Sequence, residues 1–389
     1  DCYQLSTFPE DVTSFGENCF RNCRALTHVT LNNQTERLPD GMFDGCIHLS
    51  EIHYENDQLL EIGKRCFRNC KSLDHIPKFI ANFNDRAFEN CTGLTSIDII
   101  DYTIPFACFR GCKNIREILN QDKIHSLSSF AFSGCESLEE FDVIHSNVIP
   151  AETFSNCKHL KKVRFNMEVR KIGSRAFFNC VLLSDIQLPD MVDTVKKEAF
   201  KNCHSIREIT IPGNLSSFED CAFSYMDSLE AINVSPYNQT FITPDHKILI
   251  HKMQQCVVLY AVGSKDKSYS FKDYNIEIDI FNHELIRPIN GIGVYAFAGA
   301  KNLEELTLCA CTKDIESSAF MDCVNLKKLN IESLSLFTCP GFNIRDRGRY
   351  YSEEGAKVPI YLPFETVVFS GDVIQIFPNA LNHFKNVKE

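Results

Sequence analysis

Leu183-Ser-Asp-Ile186-Gln-Leu188-Pro189, followed by Val195-Lys-Lys-Glu-Ala199-Phe200-Lys-Asn-Cys203, is one copy of a line that the chain keeps rewriting. Its Phe-x-x-Cys ending recurs at Phe20/Cys23, Phe43/Cys46, Phe67/Cys70, Phe88/Cys91, Phe109/Cys112, Phe132/Cys135, Phe154/Cys157, Phe177/Cys180 and Phe320/Cys323. From Phe20 to Phe223 the steps between phenylalanines are 23, 24, 21, 21, 23, 22, 23, 23 and 23 residues. A period this regular predicts a solenoid, in which each unit buries its apolar face only by stacking on the next.

Each unit opens with Leu-x-x-Ile-x-Leu or a variant of it, such as Leu138/Phe141/Val143, Leu160/Val163/Phe165 and Ile206/Ile209/Ile211. The alternation at the end of the triplet reads as a short strand with one buried face. A polar turn follows, then an apolar residue before Gly-x-x-Ala-Phe. Gly63, Gly173 and Gly293 are expected where a tight turn excludes a Cβ. The Ala-Phe-x-x-Cys stretch is expected to close the coil as a single helical or 3-10 turn.

The period is interrupted between Phe223 and Phe297. There, Phe241–Ile250 and Cys256–Tyr260 flank polar Lys252-Met-Gln-Gln255 and predict a hairpin, with further strands near Tyr269–Phe271 and Ile276–Ile280. The expected organisation is a repeat array over 1–234, a β-rich insertion projecting over 235–290, continued repeats over 291–332 and a C-terminal cap over 333–389. In the cap the repeat dissolves from about Ser333, and Arg345, Arg347 and Arg349 mark a loop before β-rich Val358–Leu362 and Thr366–Phe369. Twelve strands at about 4.8 Å would form a parallel sheet about 50 Å long, a surface suited to an extended partner.

A net charge of −11 without a long Lys/Arg run argues against nucleic acid as the main partner. No apolar stretch is long enough for a membrane-crossing helix, so no membrane insertion is expected. No hydrolase, zinc-protease or phosphate-binding motif is present, and no catalytic residue, cofactor or metal site is assigned. Ten of the nineteen cysteines share one repeat slot. Same-slot side chains on parallel strands stay too far apart for a disulfide, so stacked buried thiols are expected. The Cys-x-x-x-Cys pairs Cys19/Cys23, Cys66/Cys70 and Cys108/Cys112 carry the wrong pattern for zinc, because Ala replaces the first cysteine in seven units and Met226 and Ala300 replace the second. If a disulfide exists, it is expected between the Cys309/Cys311 pair and Cys339. The sequons at Asn33, Asn90, Asn214 and Asn238 receive no role.

The unit Leu-x-x-Ile-x-Leu-Pro…Ile-Gly-x-x-Ala-Phe-x-x-Cys resembles the BspA-like leucine-rich repeats of surface and secreted proteins of host-associated anaerobic bacteria and some mucosal protists. The resemblance spans roughly residues 12–332. It implies a right-handed leucine-rich repeat solenoid with a parallel β-sheet on one face, an extracellular or cell-surface setting, and non-enzymatic recognition or adhesion. The implied partner is a host matrix or cell-surface protein, with the chain itself a monomer.

On the exposed face of the sheet, the residues flanking the buried Ile are the candidate partner-binding set. Glu117, Glu140 and Asp142 make its middle acidic, with Lys162 and Arg164 beside them. His28, His53 and His75, from three successive strands, are a second group with the chemistry for metal or pH response. Two other readings stand beside adhesion: a structural cell-envelope protein without a specific ligand, and an unidentified enzyme.

Overall fold

The computed structural model describes residues 2–9, 12–54, 60–76, 80–98, 103–271, 275–276, 287–309, 312, 314–316, 318–339, 343–345, 363–376 and 388. The chain forms two compact units, Asp1–Cys203 and His204–Glu389. Both are solenoids of short parallel strands, and the only helix among the described residues is the 3-10 segment Gln121–Lys123.

In the first unit most described coils contribute two strands, one to each of two rows that are broken into short sheets. The Ile-centred strands pair in parallel register, as in His28–Leu31 with Glu51–Tyr54, Ser96–Asp98 with Glu117–Leu119, and Glu140–Val143 with Lys162–Phe165 and Asp185–Ile186. A second, shorter strand precedes each Gly-x-x-Ala-Phe turn, giving the row Val148–Ile149, Lys171–Ile172 and Thr194–Val195. Alternation decides which side is buried: Glu140, Phe141 and Val143 run exposed, buried, buried around half-buried Asp142.

The closing stretch is not the expected helical turn. Two consecutive turns are joined by residues in the left-handed region, such as Arg175 at φ 55 and Asn179 at φ 59, or Arg65 at φ 59 and Asn69 at φ 63. The second of these positions immediately precedes the cysteine slot and is Asn or Gly in ten units, from Asn22 and Gly45 to Asn202 and, before Ala300, Gly299. Asn and Gly are the residues that adopt this conformation at least cost. The geometry turns alternate peptide N–H groups along the solenoid axis, so that Phe132 N donates to Thr153 O at 2.9 Å and Phe154 N to Ala176 O at 2.9 Å, while Ser133 N and Cys135 N close turns within the coil on Phe130 O and Phe132 O at 3.1 and 3.0 Å. A continuous helix would have used the alternate donors internally as well.

The phenylalanines form a continuous stack. Phe88, Phe109, Phe132, Phe154, Phe177 and Phe200 are fully buried. Successive ring centroids from Phe88 lie 5.7, 5.7, 5.9, 5.5 and 5.2 Å apart with interplanar angles of 10° or less. Parallel, offset rings at this spacing contribute about 0.5–1.5 kcal/mol per pair beyond their area burial.

Gly63 and Gly173 are required for a different reason from the one read in the sequence. Neither lies at positive φ; a Cβ at Gly173 would sit 2.6 Å from Ala151 N and 2.6 Å from Pro150 C, and one at Gly63 would sit 2.4 Å from Asp40 N. The glycine lets the preceding coil's backbone pass at contact distance.

In the second unit the 235–290 segment departs from a projecting insertion. Its hairpin forms as expected, with Phe241–Ile242 antiparallel to Ile248–His251, which is antiparallel to Cys256–Tyr260. Cys256–Tyr260 then pairs in parallel with Gly291–Ile292, and Ser268–Ser270 pairs in parallel with Glu305–Cys309. The segment therefore supplies a coil of the solenoid. Tyr260 takes the phenylalanine slot, donating its N–H to Ala296 O at 2.7 Å and stacking on Phe297 at 4.7 Å. Asn275–Ile276 pairs antiparallel with Arg287–Pro288, and Ile278 and Ile280 lie outside the described residues.

Beyond Ser333 the ordered pairing continues where the sequence repeat ends. Lys328–Cys339 pairs in parallel with both Glu305–Cys309 and Thr366–Ile376, and Asn343–Arg345 extends the other sheet beside Asp314–Glu316. Cys309 is disulfide-bonded. Cys311, Arg347, Arg349 and 358–362 lie outside the described residues, as does the side chain of Cys339.

Candidate functional site

The cysteine row has a defined chemistry. Every thiol from Cys46 to Cys203 in the Phe-x-x-Cys slot donates to the carbonyl of the phenylalanine one coil back, at 3.0–3.3 Å. Phe132 O, for example, accepts Cys135 N at 3.0 Å and Cys157 Sγ at 3.2 Å. The slot therefore holds a small apolar group that also satisfies a carbonyl lone pair, more than the packing role its tolerance of Met226 and Ala300 implies. Burial pushes the Cys46 thiol up to about 12 and those of Cys70, Cys91, Cys135 and Cys180 well above the usual range. Neither nucleophile nor thiolate ligand chemistry is available to a thiol held protonated.

Chemistry accessible to a partner lies on the outer face of the Ile-centred strands. Parallel register places Glu140 beside Lys162, Lys162 beside Asp185 and Asp142 beside Arg164. Arg164 bridges two columns: its Nη1 donates to Asp142 at 2.7 Å and its Nη2 to Glu140 at 3.0 Å. The hydrogen bond to Asp142, then that to Glu140, holds the guanidinium in its charged form. Lys162 pairs with Asp185. Around the same coils Lys161 reaches Glu139 at 2.8 Å, while Lys113 and Lys158 reach Glu136 at 3.1 and 3.0 Å, so that both carboxylates are held below their ordinary range. The carboxylates Glu140 and Asp142 are thus presented with their own counter-ion. Glu117 is exposed on the neighbouring strand pair, with its Cα opposite Ser96.

His28, His53 and His75 are not brought into one group. Register puts His28 opposite Glu51 and His53 opposite Thr30. His53 lies 3.7 Å from Glu51, whereas His75, outside any strand, contacts Asp74 at 2.5 Å. Among the described residues no group of three or more His, Cys, Asp or Glu is arranged to hold a metal ion. No helix among them is long and apolar enough to cross a membrane.

One feature of the second unit escapes the sequence reading altogether. A cleft of about 570 Å³ opens among Phe218, Glu219, Asp220, Phe241, His251, Val258, Leu259, Tyr295, Asp314 and neighbouring residues. Its floor belongs to the coil of Tyr260, whose irregular spacing from Phe223 hides it from any alignment of repeats.

Stacked parallel strands, an inward Phe and thiol row and an outward row of paired charges define a leucine-rich repeat solenoid, a protein-interaction scaffold fold. The chain belongs to the family of the BspA type leucine rich repeat region, whose six-copy model matches residues 2–104, 56–149, 81–169, 143–244 and 266–341. No curated protein matches it. Among solved structures it is similar to a leucine rich cell surface protein from Faecalibacterium prausnitzii, at 18% identity over 83% of each chain with a TM-score of 0.49. It is also similar to a leucine-rich repeat protein from Bacteroides ovatus, at 19% identity over 84% of this chain and 78% of the other, TM-score 0.49. A third likeness is to a leucine-rich repeat protein from Eubacterium ventriosum, at 16% identity over 73% and 66% of the two chains, TM-score 0.42.

Proposed function

We propose that the chain is a non-enzymatic recognition and adhesion protein, cell-surface or secreted, which binds a host or neighbouring-cell protein along the outer face of its Ile-centred strands. The observation that carries this reading is the in-register row of outward charges at Glu140, Asp142, Lys162, Arg164 and Asp185, set on a rigid buried stack. A row of this kind offers both signs of charge within one coil spacing. It suits a protein surface with alternating basic, acidic and amide groups better than a uniformly charged polymer. Because Arg164 already bridges Glu140 and Asp142, a partner gains by extending that network and not by neutralising bare carboxylates.

The test is capture from host matrix and cell-surface extracts by the chain and by its Glu117→Lys/Glu140→Lys/Asp142→Lys variant. A protein retained by the first and lost by the second supports the reading. Retention of nothing above control, or equal retention by both, counts against it. A second reading, a structural envelope repeat without a specific ligand, is favoured by the self-satisfied coil-to-coil contacts and predicts that second result.

A further inference from the structure

The charges of the strand face are unevenly answered. Arg164 spans Glu140 and Asp142, and Lys162 pairs with Asp185. The strands before them differ. Ser96–Asp98 and Glu117–Leu119 run in parallel register, with Ser96 opposite Glu117 and Asp98 opposite Leu119, while Ile97 and Ile118 between them are buried. The four flanking residues are therefore the outward set, which holds two carboxylates and no cation. Asp98 accepts a hydrogen bond from the neutral Asn120 amide, and among the described residues neither Asp98 nor Glu117 has an ion pair. Of the neighbouring cations, Arg116 stands towards Glu139 of the next coil and Lys123 lies beyond the strand end in the 3-10 turn.

The fourth outward residue is apolar. Leu119 is 45% exposed, where other coils carry Thr30, His53, Asp142 and Arg164. The next two coils each leave a large apolar side chain in water at the same end of their strands: Ile144, 39% exposed, follows Glu140–Val143, and Met167, 71% exposed, follows Lys162–Phe165. These coils are stacked at that end, since Asp142 N donates to Gln121 Oε1 at 2.6 Å and Asn166 N to Val143 O at 2.8 Å. A single exposed leucine needs no explanation, whereas a run over three successive coils beside unanswered carboxylates marks a surface that something else covers.

We infer that this end of the strand face anchors the partner: it takes a protein segment that lays an apolar side chain on Leu119 and sets a lysine or arginine against each of Asp98 and Glu117. Two residues along a strand span roughly 6.7 Å and neighbouring strands stand roughly 4.8 Å apart, so both carboxylates lie within reach of cations that flank one apolar residue. Covered apolar surface supplies the water-free centre on which interfaces depend, and a carboxylate without a counter-ion gains more from an incoming cation than one already paired. The inference rests on the strand-face reading above and sharpens it, moving the contact from the Glu140 and Arg164 network to Leu119 and naming the partner's chemistry.

The test uses the full chain and three fluorescein-labelled peptides followed by fluorescence polarisation: Gly-Lys-Thr-Leu-Thr-Lys-Gly, the same peptide with Ser for Leu, and the same with Glu for both Lys. Alternate residues of an extended peptide share a face, which sets its Lys, Leu and Lys side by side. Saturable binding of the first peptide is expected, with the other two weaker by about tenfold or more. Leu119→Ser and Asp98→Asn/Glu117→Gln are each expected to weaken it about tenfold, and Leu119→Met to retain it. Glu140→Gln/Arg164→Gln removes the charge network and is expected to leave peptide binding unchanged. Absence of saturable binding, binding that ignores Leu119→Ser or the neutralising pair, or binding lost with Glu140→Gln/Arg164→Gln overturns the inference. Host-protein capture without peptide binding sinks it and leaves the strand-face reading standing, whereas peptide binding without capture supports the anchor and counts against the wider charged row.

Discussion

Raising the pH is expected to unfold the first unit sharply between about pH 9 and pH 10.5, and the cause is its buried thiols. Eight of them, Cys66, Cys70, Cys91, Cys112, Cys135, Cys157, Cys180 and Cys203, are fully buried, and desolvation is the first cause raising the pKa of each. In the unfolded chain the same thiols ionise near their ordinary value of 9.0. A group with a raised native pKa contributes its full stability below the unfolded value and loses it as the pH climbs towards the native one. One pH unit above the unfolded pKa, each such thiol favours the unfolded state by about 1.4 kcal/mol. Eight together give about 11 kcal/mol, comparable to the whole stability of a typical domain at about 5–15 kcal/mol. Urea titrations followed by circular dichroism at pH 8, 9 and 10 in reducing buffer measure this directly. The reaction rate of an aromatic disulfide reagent with the folded chain at pH 8 checks that the thiols are shielded. A urea midpoint that stays constant from pH 8 to 10.5, or rapid labelling of the native ladder at pH 8, would refute the reasoning.

Other perturbations separate the contributions of the coil. Gly173→Ala is expected to cost about 1–3 kcal/mol in urea unfolding, because its Cβ would meet the Ala151 and Pro150 backbone, whereas Gly16→Ala, with nothing within 4 Å, is expected to be close to neutral. Asn179→Val places a β-branched residue at φ 59 and removes a 2.9 Å bond to Asn156 Oδ1, so a loss of about 1–3 kcal/mol is expected, with Asn179→Gly recovering most of it. A double-mutant cycle of Glu140→Ala with Arg164→Ala is expected to show only weak coupling, which shrinks further in 1 M salt, as for other exposed ion pairs. Strong coupling that survives 1 M salt would mean that this face is a stabilising device and weaken its case as a binding surface.

Much of the fold is readable residue by residue, because the repeat states each packing rule a dozen times. Buried Leu, Ile and Phe positions follow from period and alternation alone. The asparagine or glycine before nine of the ten repeat cysteines was equally present in the line, at Asn69, Asn90, Gly111 and Asn156 among others. Those residues mark a left-handed turn and argue against the helical closure that the short Ala-Phe-x-x-Cys stretch invites. The thiol bond to Phe carbonyls was not readable, since it joins a side chain to the backbone of the preceding coil, and its geometry exists only once the coils are stacked. The columns containing Glu140, Asp142, Lys162 and Arg164 could be drawn from the sequence. That Arg164 spans both carboxylates depends on a side-chain conformation that no column specifies.

The sequence by itself determined the repeat, its two-faced strands, the buried phenylalanine and cysteine rows and the hairpin between Phe241 and Tyr260, all consequences of local period and turn chemistry. Tertiary structure alone decided that Cys256–Tyr260 joins the array as part of a coil, because that outcome rests on the hydrogen bonds from Tyr260 to Ala296 and from Gly293 to Val257. Such pairing between distant segments is a property of coil stacking, in which the neighbour, and not the local sequence, supplies the template.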